Sequence, residues 1–149
     1  MISISKAVSS DIEDIAAFQI LMAKETEGIG LDRDTVMRGV NAVFDDPGKG
    51  FYLVASEAGC TVGSLMITFE WSDWRARQVY WIQSLYVIPE RRRQGIFKQM
   101  FAWLHERIEH DDSVGGIRLY VDQTNVNAQK VYESLGMDGN HYRFYELMK

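Results

Sequence analysis

The alternation of apolar and polar residues predicts a chain that switches between strands and helices from its first residues onward. Ile2 to Ala7 alternates with a period of two, which is typical of a half-buried strand. Ser10-Asp11-Ile12-Glu13 predicts a capping box that opens a helix, and Gly28-Ile29-Gly30 predicts where that helix ends. Asp32 is placed to cap a second, shorter helix. The first third of the chain is therefore predicted as strand, helix, helix.

The middle of the chain is rich in residues that favour strands. Phe51 to Ser56 and Thr61 to Glu70 are two such runs, and Glu57-Ala58-Gly59 between them indicates a short hairpin. Gln78 to Val87 is rich in apolar and aromatic residues and is the best candidate for a central strand. We therefore predict two antiparallel strands followed by a central strand.

The last third returns to helices that alternate with strands. After Gly95 the apolar period becomes helical and continues to Asp111-Asp112. Gly116 to Val121 then predicts a short strand, and Asn127 to Leu135 predicts a helix. Met137 to Leu147 is predicted to close the sheet as a hairpin.

The length and composition of the chain fit one domain of the α/β class. The chain has 149 residues, of which 46% are hydrophobic, so it can bury one sizeable core. We predict a single domain over residues 1–149 with a central mixed, mostly antiparallel sheet of about seven strands. Helices are expected on both faces of this sheet, in the element order βααβββαβαββ.

Charge and motif content argue against several classes of partner. The net charge of -5 opposes binding to nucleic acid or to anionic lipid. The sequence has neither a membrane-length apolar run nor the apolar region of a signal peptide, so we expect a cytoplasmic protein. His105, His110 and His141 form no metal-ligand pattern, and we predict no metal site.

A basic, glycine-containing turn follows the predicted central strand. It holds Arg91-Arg92-Arg93, and Gly95 and Lys98 come shortly afterwards. A helix N-terminus presents unpaired N–H groups and the positive end of the helix dipole, which favours an anion such as a phosphate. Taken alone, the turn fits an anion site and a solvated basic loop equally well.

Two motifs in the expected order resemble those of the GNAT acetyltransferases. Arg92-Arg93-Gln94-Gly95-Ile96, after the strand that ends at Val87, is similar to the pyrophosphate-binding motif of the family. Phe97 replaces the small residue that usually ends this motif. About thirty residues on, Asn127 and the stretch Tyr132 to Met137 are similar to the second family motif.

The resemblance implies a coenzyme A site and an activity. A protein of this family would transfer the acetyl group of acetyl-CoA to an amine by direct attack within a ternary complex. The acidic and aromatic residues described below favour the primary amine of a small, cationic acceptor. The residues that the resemblance places on the cosubstrate are Leu85, Tyr86, Val87, Arg92, Arg93, Gln94, Gly95, Ile96, Phe97, Lys98, Asn127 and Tyr132.

The resemblance also assigns catalytic roles. A backbone N–H of Leu85 or Tyr86 would stabilise the oxyanion, and Tyr132 would give a proton to the leaving sulfur. Tyr132 also fits an alternative role as a helix residue packed on the sheet. For the general base we favour Glu70, and the pair Glu25 and Glu27 at the end of the first helix comes second.

The predicted acceptor site is an acidic and aromatic mouth, which would attract an ammonium group through charge and cation–π contacts. Its members are Glu25, Glu27, Glu70, Trp71, Trp74, Trp81 and Gln83. The competing hypothesis is a non-catalytic module that binds acyl-CoA for regulation or interaction. A homodimer is expected if an edge strand near the C-terminus pairs with a second copy.

Overall fold

Five strands and four helices make up the fold, which is described by a computed structural model of residues 1–149. The chain divides into two compact units, Met1–Arg118 and Leu119–Lys149. The elements are β1 Ile2–Lys6, α1 Ile12–Glu27, α2 Arg33–Asp45, β2 Phe51–Glu57, β3 Cys60–Ser72, β4 Arg77–Val87, α3 Ile96–Glu109, β5 Val114–Arg118 and α4 Val126–Ser134.

The strands form one sheet in the order β1-β2-β3-β4-β5. The first four pair antiparallel with their neighbours along the chain, and β5 pairs parallel with β4. The sheet is therefore mixed and mostly antiparallel, as predicted. The predicted count of about seven strands is wrong, because the sheet has five.

Helices α1 and α2 cover one face of this sheet. Ile15 and Ala16 of α1 and Val40 of α2 pack against Tyr52 and Val54 of β2, and all five side chains are buried. Successive side chains of a strand point to opposite faces, so these two residues of β2 mark the α1 and α2 side. The apolar stripe of α2 accounts for its position on the sheet.

Helix α3 covers the opposite face. Leu53 lies between Tyr52 and Val54, so it points away from α1 and α2, and it pairs with Leu65 of β3. Both leucines are fully buried, as are Met100 and Leu104 of α3, and α3 contacts β1, β2 and β5. The first unit thus has helices on both faces of its sheet, as the sequence predicts.

The helix starts follow the predicted chemistry in one case and not in the other. Asp32 caps α2 by accepting a hydrogen bond from the Thr35 backbone N–H at 2.9 Å, as predicted. The predicted capping role of Ser10 is wrong. Ser10 lies in a short 3-10 turn before α1, and the Asp11 carboxylate accepts from the Val8 backbone N–H at 2.8 Å.

The unit of residues 119–149 contains α4. The side chain of Asn125 caps this helix by accepting from the Ala128 N–H at 3.1 Å, and Asn127 lies inside the helix rather than at its cap. The predicted hairpin over Met137 to Leu147 is also wrong, because no strand forms there. A turn in which the Asp138 carboxylate accepts from the Asn140 N–H replaces strand pairing locally.

Strand β5 also differs from its predicted bounds. It covers Val114–Arg118 and ends before the predicted boundary at Val121. Apart from the missing hairpin, the order of elements agrees with the prediction. No helix of the chain has the length and apolar character needed to cross a bilayer.

Candidate active site

The parallel pair β4 and β5 separates part-way along β4. The two strands pair only from Gln78 to Trp81, opposite Val114 to Arg118, whereas β4 continues to Val87. Beyond Trp81, β4 has β3 as its partner within the sheet and no longer has β5, and we call this end of the sheet the fork.

The backbone groups of Val87 face the fork. The Ile88 N–H donates to the carbonyl of Val62 at 3.0 Å, and Val87 pairs with Gly63. Because bonded and non-bonded pairs alternate along an antiparallel ladder, the N–H and C=O of Val87 point away from β3. The Val87 carbonyl accepts a bond from Arg92 Nε at 2.8 Å, which agrees with this direction.

A bulge interrupts β4 inside the fork. Tyr86 pairs with Ser64 and Gln83 pairs with Met66, so Ser84 and Leu85 together lie opposite one residue of β3. Ser84 adopts a φ of 52°, which is uncommon for a residue other than glycine. A bulge bends its strand and redirects the groups next to it, which makes this the irregular point of the central strand.

The basic turn after β4 leads directly into α3. Gly95 has a φ of 73° and forms the N-cap, and a Cβ built on it would meet no atom within 4 Å. Arg93 also has a positive φ, of 63°. The first turn of α3 contains no acidic residue and includes Lys98. Positive charge at a helix N-terminus is unfavourable by itself, so this surface suits an anionic group.

The three arginines of the turn differ in their partners. Arg91 Nε donates to Glu57 at 2.6 Å, which ties this side chain to the end of β2. Arg92 Nη2 donates to Glu25 at 2.7 Å. Arg93 and Lys98 are exposed and form no ion pair. The uncommitted positive charge of the turn therefore lies on Arg93 and Lys98.

Glu25 joins α1 to the end of β4. Its carboxylate also accepts from the Tyr86 hydroxyl at 3.0 Å, and the Arg92 guanidinium lies 5.3 Å from the centre of the Tyr86 ring. The hydrogen bond from Arg92 lowers the pKa of Glu25. Burial, and then the bond to Glu25, raise the pKa of Tyr86. The family resemblance implies a role for the backbone of Tyr86, and no local sequence signal indicates this use of its hydroxyl.

Glu70 also has both carboxylate oxygens engaged. Trp81 Nε1 donates to one oxygen at 3.0 Å, and Arg118 donates to the other. These residues lie on β3, β4 and β5, so the contact connects three strands. The structure thus brings Glu70 and Trp81 together, but Arg118 occupies the other oxygen of the Glu70 carboxylate.

The other residues predicted for the acceptor mouth do not converge. Trp71 and Trp74 are 62% and 87% exposed at the distal end of the β3 and β4 hairpin. Gln83 donates to the hydroxyl of Thr68 on the neighbouring strand. Glu27 is exposed at the last residue of α1. These positions do not form one acidic and aromatic surface.

A cleft of about 410 Å³ lies between the two helices and the sheet. None of the seven residues predicted to bind the acceptor lines it. The sequence signal for this surface is the apolar stripe of α2, which consists of Val36, Val40 and Val43 at helical spacing. The lining includes Val36, Val40 and Val43 of α2, Tyr52 and Met66 of the sheet, and Ser84 of the bulge.

The remaining predicted residues lie on helices. Tyr132 belongs to α4, and burial raises its pKa. Asn127 lies in the first turn of α4 and is exposed. The Phe97 ring packs along α3, with its centre 6.2 Å from that of Phe101. No group of three or more His, Cys, Asp or Glu side chains is arranged to hold a metal ion.

Comparison with known proteins identifies this architecture. Residues 15–137 match the acetyltransferase (GNAT) family, which covers most of the chain. The chain belongs to the GNAT acetyltransferase family. Members of this family use acetyl-CoA, so the fork and the basic turn of this GNAT chain are the surfaces to consider for that cosubstrate.

Solved structures and one curated relative are similar to this GNAT chain. A possible acetyltransferase from Clostridium difficile 630 is 42% identical, with a TM-score of 0.91 and coverage of 100% of this chain and 98% of that one. A predicted acetyltransferase with acetyl-CoA from Clostridium acetobutylicum shares the fold, with 18% identity, a TM-score of 0.75 and coverage of 98% and 96%. Thialysine N-epsilon-acetyltransferase from Bos taurus is 34% identical over 77 residues, which are 52% of this chain and 44% of that protein.

Proposed function

We propose that this protein transfers the acetyl group of acetyl-CoA to the primary amine of a small acceptor. The observation that carries the proposal is the fork, where β4 loses β5 as a partner beyond Trp81 and is bulged at Ser84. The fork is followed by a turn that leaves Arg93 and Lys98 without ion pairs at the start of α3. The similarity to thialysine N-epsilon-acetyltransferase supports an amine as the acceptor.

The residues of the turn and the fork fit the two chemical parts of acetyl-CoA, which supplies the activated thioester when bound. Arg93, Lys98 and the first backbone N–H groups of α3 would hold the pyrophosphate, since their donors have no anionic partner. The outward-facing backbone groups of Val87 would pair with the amides of the pantetheine arm as an added strand does. The resemblance adds Gln94, Ile96, Phe97 and Asn127 to this site as proposals.

The proposed reaction forms the C–N and S–H bonds and breaks the C–S and N–H bonds. The neutral amine nitrogen attacks the thioester carbon, the C–S bond breaks, and the nitrogen loses one proton, which replaces the proton that the departing thiolate receives. The N–H of Leu85, in the bulge, would stabilise the negative charge that develops on the carbonyl oxygen. Tyr132 would protonate the departing thiolate, because a phenol carries its proton near neutral pH.

The acceptor must also lose a proton before it attacks, because an alkyl ammonium has a pKa of about 10. Glu70 and Glu25 each have both carboxylate oxygens in hydrogen bonds, and Glu27 is exposed. We therefore propose that water carries this proton away, with Glu70 as the alternative base. The proposal needs no free carboxylate at the amine.

Binding of acetyl-CoA by calorimetry tests the cosubstrate site. Gly95→Asp and Gly95→Asn form a matched pair, because both side chains tolerate a left-handed backbone and differ mainly in charge. We expect Gly95→Asp to weaken binding roughly tenfold more than Gly95→Asn does, since it places a carboxylate where the phosphates would lie. Absence of binding by the wild-type protein at millimolar acetyl-CoA would refute the proposal.

Turnover separates the enzyme from the competing non-catalytic module. Release of free thiol from acetyl-CoA is followed with a panel of primary amines, for the wild-type protein and for Tyr132→Phe. We expect the variant to lower kcat roughly a hundredfold while acetyl-CoA affinity is retained. Tight acetyl-CoA binding without transfer to any amine would favour the module.

A further inference from the structure

The cleft between α1, α2 and the sheet reaches the irregular point of β4. Its volume of about 410 Å³ is within the range of small-molecule sites, and its lining includes Ser84. Ser84 immediately precedes Leu85, whose N–H is proposed to donate a hydrogen bond to the carbonyl oxygen of the thioester. A molecule in the cleft would therefore have one end next to the proposed place of reaction and its body against α2.

The part of the cleft formed by α2 and β3, which the body of such a molecule would contact, is apolar. Val36, Val40 and Val43 line the cleft from α2, and Met66 lines it from β3. Val40 is buried, and the other three side chains are half-buried, so part of their apolar surface is still open to solvent. An aliphatic or aromatic group placed here would leave water for an apolar environment, which is favourable in proportion to the area covered.

The cleft offers nothing that would neutralise a second ammonium group. No Asp or Glu is among its lining residues, and its single charged residue is Lys49, which is cationic. Lys49 Nζ lies 2.9 Å from Asp46, so that nearby carboxylate already has a cationic partner. A second positive charge would find no carboxylate partner in the cleft and would lie near a like charge, which is unfavourable.

We propose that the acceptor is a monoamine, in which one primary amine is carried on an apolar body, and that the cleft selects against diamines and polyamines. This inference rests on the proposed acetyl transfer and specifies its substrate class. It replaces the acidic and aromatic acceptor mouth predicted from the sequence, because the lining of the cleft contains neither its carboxylates nor its tryptophans.

Hexylamine and 1,5-diaminopentane give a direct test. The two molecules have the same number of non-hydrogen atoms, and the diamine replaces a terminal methyl group with an ammonium. Their reacting amines have similar pKa values of about 10, so deprotonation does not separate them. We expect kcat/KM for hexylamine, measured by thiol release at saturating acetyl-CoA, to exceed that for the diamine at least about tenfold.

A negative charge placed in the cleft should lower the preference for hexylamine over the diamine. Val43→Glu puts a carboxylate on the lining surface, and Val43→Gln is the control of the same shape without the charge. We expect Val43→Glu to lower the hexylamine to diamine ratio at least about tenfold relative to Val43→Gln. If either Val43 variant fails to fold, Val36→Glu and Val36→Gln on the same half-buried side of α2 provide the same comparison.

The outcomes separate this inference from the proposed function. Equal use of both amines, or preference for the diamine, by the wild-type protein would overturn the monoamine inference and leave acetyl transfer in place. Binding of acetyl-CoA without acetylation of any amine would overturn both. A preference for hexylamine that the charged variant does not change relative to its control would place the acceptor outside this cleft and refute the assignment.

Discussion

Gly50 is the position at which the fold leaves least room for a side chain. It precedes β2 with a φ of 140°, and a Cβ built on it would lie 2.0 Å from the carbonyl oxygen of Ile67. Ile67 pairs with Phe51, so the close approach occurs at the first pair between β2 and β3. We expect Gly50→Ala to force this end of the sheet apart.

The size of the effect follows from two contributions. A backbone conformation reserved for glycine costs another residue roughly 1–3 kcal/mol. The clash is with backbone rather than with a flexible side chain, so β2 and β3 must shift and weaken at least one ladder hydrogen bond, at about 1 kcal/mol. We expect a total loss of roughly 3 kcal/mol, or about 6–12 °C in Tm for a chain of this length.

The matched control is Gly39→Ala in α2. A Cβ on Gly39 would meet no atom within 4 Å, and alanine favours a helix over glycine, so we expect a gain of about 0.5–1 kcal/mol. Urea unfolding followed by circular dichroism measures both variants against the wild-type protein. A Gly50→Ala protein within about 1 kcal/mol of wild type would refute the close approach at Ile67.

Two further substitutions test contacts near the fork. Ser64 is fully buried on β3 and its hydroxyl has no hydrogen-bond partner, so Ser64→Ala should raise the free energy of unfolding by about 1 kcal/mol, and a clear loss in urea unfolding would reveal an unrecognised partner. Glu25→Gln removes the carboxylate that competes with phosphate for Arg92, so acetyl-CoA should bind roughly two- to fivefold more tightly at low salt, with a smaller effect at high salt. Weaker binding of that variant by calorimetry would mean that Glu25 positions Arg92 instead.

Local signals account for the parts of the fold that the sequence predicted well. Ala58 and Gly59 occupy the tight turn between β2 and β3 with φ values of 50° and 80°, a conformation that glycine favours. Asp32 and the apolar stripe of α2 likewise act within a few residues of themselves. Such features depend on neighbouring residues, which a single sequence displays directly.

The errors have causes outside the local pattern. Met137 to Leu147 has the composition of a hairpin, but a strand also needs a partner edge, and the local turn at Asp138 satisfies backbone groups instead. No glycine in the sequence indicates the bulge at Ser84, because the bulge arises from the register between β3 and β4. The basic turn of the site was therefore predictable, because a sequence motif indicates it. The bulge was not predictable, because it depends on how two strands pair.

The same contrast between local signals and long-range contacts applies to the carboxylates predicted at the acceptor site. The sequence favours Glu70 as the base because tryptophans surround it in the chain, and Glu25 because it lies at the end of the first helix. Their engagement by Arg92 and Arg118 depends on residues that lie 67 and 48 positions away in the chain. Long-range ion pairs of this kind have no signature in one sequence, so the choice among carboxylates required the folded chain.

The contact of Glu70 with Trp81 and Arg118 has a consequence for the movement of the sheet. Trp81 and Arg118 form the last rung of β4 and β5, and Glu70 bonds to both side chains from β3. If β4 and β5 separated further, towards Gln78, the bonds of Glu70 to Trp81 and Arg118 would have to break before the next backbone pair between the two strands could open. Fluctuations that widen the fork should therefore stop at this rung. The side-chain contact thus holds the end of β5 in place and fixes the length of β4 that is left for a ligand.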